Sequence, residues 1–341
     1  MRYVESLNAG LRRLLSDHPE VLLLGEDILD PYGGAFKVTR GLSSEFPDRV
    51  IATPVSEAAI TGAAIGLALR GMRPVAEIMF GDFLPLCMDQ LVNHAAKLRW
   101  MYGEQVSVPL VLRAPMGGYR GYGPTHSQTL ESLLGPVPGI EVLAPCHFHD
   151  AGRVLERAVA ESRDPVVFIE HKLLYPRRLV AEGEADPDSS MRARALPGTD
   201  PARPTLSIGA VDGEEADLTL IAYGGMVAMA TEAAAAVFME DEIVVEIIAP
   251  AQIKPLPIHE IRSAAGRTGR VVVLEEGPRN CGWGAEVAGR LQEDLFGHLA
   301  APVLRVGAAD SPLPAAIHLE REVLPSAGDV ERAIRRVLEQ A

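Results

Sequence analysis

Three cysteines, Cys87, Cys146 and Cys281, are all that 341 residues carry, and they form neither an even framework nor a metal-ligand spacing. That excludes a disulfide scaffold and reads as reduced thiols in a cytoplasmic protein. Basic residues are also short. Against 46 Asp and Glu stand 32 Lys and Arg, a net charge of -14 that excludes nucleic-acid recognition through a basic face. An acidic surface suits docking to a basic partner, although solubility alone accounts for it. No apolar run is long enough to span a bilayer, and Met1-Arg2-Tyr3-Val4-Glu5-Ser6-Leu7 reads as the start of an amphipathic helix rather than a signal peptide. Two motifs are missing as well: Gly-x-x-x-x-Gly-Lys-Ser/Thr, so no P-loop cradles a diphosphate, and Gly-Asp-Gly. What is present is 48% hydrophobic, enough for two cores of ordinary domain size.

Strand-like runs at Val21 to Leu24, Val75 to Met79, Val108 to Arg113 and Val166 to Glu170 alternate with helical stretches. This is the pattern of an α/β fold in which a parallel sheet is covered by helices. From about Val180 to Arg203 the chain turns polar and rich in Pro and Gly, which marks a linker. A second α/β unit starts with Leu218 to Ala222, a turn at Gly224-Gly225 and an alanine-rich helix through Ala236, and continues with strands at Ile243 to Ile247 and Val271 to Leu274. The predicted domains are therefore 1-180, a linker carrying an insertion at 181-204, and 205-341.

Thr53-Pro54-Val55-Ser56-Glu57-Ala58-Ala59 joins a short apolar strand to a helix of small residues, Ala58 to Leu69. Ser56 suits the N-cap, so Glu57 falls in the first helical turn. There it either complements the helix dipole or presents a rigidly held carboxyl to a ligand. Gly62 and Gly66 lower helix propensity but permit close approach, at a subunit interface or inside the domain. Glu26 follows the buried run Val21 to Leu24 at a strand end, where α/β proteins place functional groups. His126 follows the glycine-rich run Gly117 to Gly123, whose backbone can approach a ligand closely.

These segments, with Gly25-Glu26-Asp27, Gly34-Ala35-Phe36-Lys37-Val38-Thr39-Arg40-Gly41-Leu42, Arg73-Pro74-Val75-Ala76-Glu77-Ile78, Asp89-Gln90-Leu91-Val92-Asn93, Gln105-Val106-Ser107-Val108-Pro109, His126-Ser127-Gln128 and Pro165 to His171, occur in the order and spacing of one family. The chain resembles, over nearly its whole length, the β subunit (E1β) of the thiamine-diphosphate-dependent 2-oxo acid dehydrogenases, related to transketolase. The resemblance implies a pyrimidine-binding domain followed by a transketolase C-terminal-like domain. It implies that Glu57 hydrogen-bonds N1′ of the aminopyrimidine of thiamine diphosphate, that Val55 contacts the cofactor and that Phe83 stacks on the ring; without it, Phe83 is a core residue. It implies that Glu26 belongs to an acidic path between paired active sites, and that His126 stabilises charge or handles the proton during acyl transfer to a lipoyl thiol. Glu275-Glu276-Gly277-Pro278-Arg279 and Gly282-Trp283-Gly284-Ala285-Glu286 match the family's C-terminal domain, which assists dimerisation and docks an acyltransferase.

In this superfamily Gly-Asp-Gly supplies the Mg2+ and diphosphate site, so its absence implies an α-type partner subunit, in an α2β2 heterotetramer, carrying that half. Some relatives hold K+ near the positions of Leu110, Ala158 and Glu161, where the match is ambiguous by a residue. The chain departs from the family before His126, with Tyr119, Arg120 and Tyr122 in place of small residues, and at His94. Arg120 with His94 and Tyr119 suits an anionic donor; Arg120 equally suits an acidic residue of the α subunit. Two other functions stay open: a two-subunit transketolase-like enzyme moving a two-carbon unit from a ketose phosphate, and a non-catalytic scaffold.

Overall fold

Apolar runs bounded by charged residues or glycine become the strands of two sheets in the computed structural model, which describes residues 1–209 and 215–340. Two units divide the chain. The first comprises Met1–Met116, Leu133–Leu143 and Asp150–Leu179. It contains α1 (Tyr3–Asp17), β1 (Val21–Gly25), the single turn α2 (Leu42–Glu45), β2 (Val50–Ala52), α3 (Glu57–Leu69), β3 (Arg73–Glu77), α4 (Ala96–Met101), β4 (Val111–Met116), β5 (Glu141–Leu143), α5 (Ala151–Glu161) and β6 (Val166–His171). These strands are all parallel, in the order β5-β6-β4-β3-β1-β2. β1, β4 and β6 are buried along their whole length, which is why they do not alternate apolar with polar residues; β1 is apolar throughout, and β4 and β6 enclose Arg113 and Glu170.

Leu7, Leu11 and Leu14 of α1 share a core with Val154, Leu155 and Ala158 of α5. The two helices meet at glycines: a Cβ on Gly10 would lie 2.6 Å from the Gly152 carbonyl oxygen, and one on Gly152 would collide with the Ser6 carbonyl. Within the sheet, the buried Arg113 donates from Nε and Nη2 to Glu170 at 2.6 and 2.8 Å and from Nη1 to Glu77 at 2.6 Å. The Tyr175 hydroxyl donates to the same Glu170 at 2.7 Å, so the fork and both carboxyls are satisfied inside the protein.

The second unit comprises Gly117–Ser132, Ala144–His149 and the described chain from Val180 on. Its elements are β7 (Arg192–Ala195), β8 (Thr205–Gly209), β9 (Leu218–Ala222), α6 (Met226–Asp241), β10 (Val245–Pro250), β11 (Gln252–Lys254), α7 (Ile258–Thr268), β12 (Val271–Pro278), α8 (Trp283–Asp294), β13 (Leu304–Ala308), α9 (Ile317–Val323) and α10 (Ala327–Glu339). The sheet runs β13-β12-β9-β10-β8-β7, with β8 and β7 antiparallel at one edge. Gly224, at φ +54, makes the turn from β9 into α6 that the sequence predicts. The polar stretch 181-204 contains β7, which pairs with β8, and the buried Asp186, which accepts from Ser189 Oγ at 2.8 Å. Among the described residues no helix is long and apolar enough to cross a membrane.

Candidate active site

β1 delivers Glu26 at its carboxyl end, and the neighbouring β2 is tied to the same point by Thr53 N–H donating to the Gly25 carbonyl at 3.0 Å. Four residues on, α3 begins at Glu57. The Ser56 hydroxyl accepts the Ala59 N–H at 3.4 Å, so the predicted cap is present, and it leaves Glu57 as the first helical residue. Burial changes sharply here: Val55 is 80% exposed and Glu57 only 7%. Thr61 Oγ1 donates to the Glu57 carbonyl at 2.8 Å, and Cys87 Sγ lies 3.8 Å from the same oxygen. The Cys87 thiol is pushed up to about 11, chiefly by burial, so it is a neutral wall and no nucleophile.

Glu26 is itself buried, and its pKa is raised, first by burial, then by the charge of Glu57 and then by Asp27. Two carboxyls therefore share one low-dielectric corner, an arrangement that favours holding a proton there. Phe83 sits half-buried in the 3-10 turn Gly81–Cys87, edge-on to Phe80 with ring centroids 6.0 Å apart. Phe80 in turn meets Phe36 edge-on at 5.6 Å. Next along the chain, Gln90–Ala95 widens into a π-helical turn, a feature frequent at functional sites. His94 lies in it, exposed, with Nε2 3.8 Å from Asp89 Oδ2. Thr53 Oγ1 and Gln90 Oε1 are buried and have no hydrogen-bond partner among the described residues. On α3, Ala59, Gly62, Ala63 and Gly66 form an exposed small-residue face, while Ala64 and Ala68 pack inside the unit.

In the second unit the loop 117-132 carries Tyr119, Arg120 and His126. Tyr119 adopts φ +64, and its hydroxyl donates to the Pro325 carbonyl at 2.8 Å. Burial and then Glu276 and Glu320 raise its pKa, so it stays a neutral phenol committed to the backbone. Arg120 is exposed, with its guanidinium 5.1 Å from the Tyr122 ring centroid. His126 is half-buried, and its Nδ1 lies 3.0 Å from Thr125 Oγ1. Beneath the loop stand four buried carboxyls, Glu131, Glu275, Glu276 and Glu320. Glu275 is pushed up to about 7, first by burial; the Gly284 N–H donating to it at 2.9 Å opposes this. Burial also raises Glu131, which accepts from the Tyr223 hydroxyl.

Residues 1–178 match the family model described as transketolase, pyrimidine binding domain, and residues 209–330 the one described as transketolase, C-terminal domain. The chain is 38% identical over 338 residues to the pyruvate dehydrogenase E1 component subunit beta-1, mitochondrial, of Oryza sativa subsp. japonica, covering 99% of this chain and 86% of that one. It is 36% identical to the 3-methyl-2-oxobutanoate dehydrogenase subunit beta of Mycobacterium tuberculosis, covering 99% and 92%. The chain belongs to the E1β family. The acetoin:2,6-dichlorophenolindophenol oxidoreductase subunit beta of Cupriavidus necator, 35% identical over 98% of this chain and 96% of its own, is a further relative of this E1β protein. A solved structure titled split gene transketolase, inactive beta4 tetramer, superposes with a TM-score of 0.73 over 100% of this chain and 99% of that one; at 23% identity it shows the shared fold.

For an E1β chain the donor set of the first unit fits the pyrimidine end of thiamine diphosphate. It offers a buried carboxyl, a second carboxyl in electrostatic contact, an exposed valine and an aromatic edge. It offers no grouping of three or more His, Cys, Asp or Glu for a metal ion among the described residues. The carboxyls under the His126 loop went unassigned in the sequence. Glu276 and Glu320 contact that loop across 158 and 199 residues, a separation with no local signature; only the family match of Glu275-Glu276 marks the spot.

Proposed function

We propose that this E1β chain supplies the pyrimidine half of the active site of a 2-oxo acid dehydrogenase. An α-type subunit supplies the Mg2+ and diphosphate half, in an α2β2 heterotetramer whose contacts use the exposed small-residue face of α3. The observation that carries this reading is Glu57: a carboxyl 7% exposed on the first turn of a capped helix, electrostatically coupled to Glu26, beside the open Val55. Thiamine diphosphate, when bound, supplies the nucleophilic carbon and the electron sink for decarboxylation. Glu57 exchanges a proton with the aminopyrimidine N1′ through its carboxyl oxygens, and the helix N-terminus holds it in place. Glu26 keeps a second exchangeable proton close by. Phe83 offers its ring to the pyrimidine and Val55 its side chain to the cofactor. His126 handles the proton when the acyl unit passes to a lipoyl acceptor on an acyltransferase partner.

Arg120, exposed and backed by the Tyr122 ring, is the candidate to bind an anionic donor, and Tyr119 holds the loop through Pro325 rather than touching substrate; His94, exposed on the first unit, is a separate candidate for an anionic group. The donor is pyruvate or a branched 2-oxo acid, as the relatives' names indicate for those proteins. The three free cysteines agree with a cytoplasmic setting. The test is reconstitution with an α subunit, thiamine diphosphate and Mg2+, followed by turnover of pyruvate, a branched 2-oxo acid and a ketose phosphate with 2,6-dichlorophenolindophenol as acceptor. Turnover of a 2-oxo acid is expected. A pair that assembles and turns over none of the 2-oxo acids would overturn the reading, and selective use of the ketose phosphate would replace it with two-carbon transfer.

A further inference from the structure

Glu276, on β12, accepts the Gly118 N–H at 2.7 Å and the Thr129 hydroxyl at 2.7 Å on one and the same oxygen, Oε1. A single carboxyl oxygen thus closes the base of the loop that runs from Gly118 to Thr129. Glu320, on α9, reaches the middle of that loop, where its Oε2 accepts the Gly121 N–H at 2.9 Å. His126 lies between these anchor points. The glycines explain how α9 comes so near: a Cβ on Gly118 would lie 2.5 Å from Leu324 Cδ1 and 3.3 Å from Glu320 Oε1, and one on Gly121 would lie 2.8 Å from Ile317 Cγ1. At its far end Ser127 to Leu130 border a cleft of about 70 Å³ together with Gly277, Pro278 and Ala308. Hydrogen bonds to two buried carboxyls, rather than packing alone, therefore hold the loop on either side of the imidazole, through the Gly118 and Gly121 N–H groups before it and the Thr129 hydroxyl after it.

We propose that Glu276 and Glu320 are positioning residues for His126, holding its loop in the geometry the proton-handling step requires. The inference rests on the reading of His126 given above. Both carboxyls act through backbone and hydroxyl donors of the loop and need touch neither substrate nor cofactor. Because positional errors of about an ångström can cost about a hundredfold in rate, loss of an anchor should act on turnover more than on binding.

The experiment uses the assembled α and β subunits and compares H126A, E276A, E276Q, E320A, T129V and the double variant H126A/E276A. H126A is expected to lose on the order of a hundredfold in kcat. E276A and E320A are expected to lose about tenfold or more in kcat, with KM for the 2-oxo acid unchanged within about twofold. E276Q, whose amide oxygen can still accept both donors, should recover most of the E276A loss. T129V removes one donor without stranding a buried carboxyl, so it keeps the question open to test if E276A does not fold; a loss of about two- to fivefold in kcat is expected. The double variant should be no slower than H126A, because anchors that work only through the imidazole have nothing left to position. Full activity of E276A, E320A and T129V alongside an impaired H126A overturns the positioning role alone, as does an additive loss in the double variant. An H126A enzyme at wild-type turnover overturns the reading of His126 and the inference with it.

Discussion

At the scale of single residues, two carboxyls are held in similar burial for different ends. Glu57 shares its corner with Glu26 and has an open approach beside Val55. Glu57→Gln keeps shape and helix start but removes the exchangeable proton, so the assembled enzyme should fall below about a tenth of wild-type turnover while α binding and the thermal midpoint hold. A variant above that level would remove Glu57 from proton transfer. Glu275 has no such outlet: Gly284 donates to it, Glu131 stands nearby, and its pKa is pushed up to about 7. A carboxyl whose folded pKa exceeds its unfolded value binds its proton more tightly in the native state. Its stabilising share is thus full below the ordinary carboxyl range and is lost as pH rises through about 7. Glu275→Gln should accordingly match wild type near pH 4.5 and be the more stable protein at pH 8, by on the order of 1–3 kcal/mol. Denaturant unfolding at the two pH values checks the sign; equal stability at pH 8 would show that Glu275 ionises freely.

At the scale of elements, the α1 and α5 pair shows how two glycines decide a packing. Gly10 and Gly152 bring the helix backbones together, and the Ser6 hydroxyl reaches both the Gly152 N–H at 2.8 Å and Asp150 Oδ1 at 2.6 Å. Gly152→Ala forces a methyl against the Ser6 carbonyl. The expected cost is about 1–3 kcal/mol, read as a lower denaturation midpoint with unchanged slope. Elements of this kind differed in how plainly the sequence announced them. α3 was legible, because Ser56, a run of small residues and a preceding apolar strand are all local signals, and β1, β9 and β12 were legible as unbroken apolar runs. β7, with the sequence Arg-Ala-Arg-Ala, was not: it is a polar edge strand that exists because β8 pairs with it. β5 was missed as well, since three residues carry too little pattern. Of the site, Glu57 and its cap lie within one local segment and were readable, whereas the hold of Glu276 and Glu320 on the loop is purely tertiary.

At the scale of the whole molecule, the chain is an E1β protein whose residues 1–178 match a pyrimidine-binding domain and whose 341 residues contain no Gly-Asp-Gly. Recognition of a diphosphate needs either a cation held by oxygen ligands or a cradle of backbone donors. The sequence has no P-loop, and among the described residues no acidic or histidine grouping offers a metal site. The corner's own groups, Glu26 and Glu57, are carboxyls and supply no positive charge to hold an anion, and the chain carries a net charge of -14. In the proposed heteromer a partner that brings Mg2+ would supply that attraction. Isothermal calorimetry on the purified chain with thiamine diphosphate and Mg2+ should therefore give no measurable saturation at concentrations that saturate the reconstituted pair, and removing Mg2+ should abolish binding to the pair. Tight, Mg2+-dependent binding to the isolated chain would reveal a diphosphate site within it and would overturn the proposed division of the active site between two subunits.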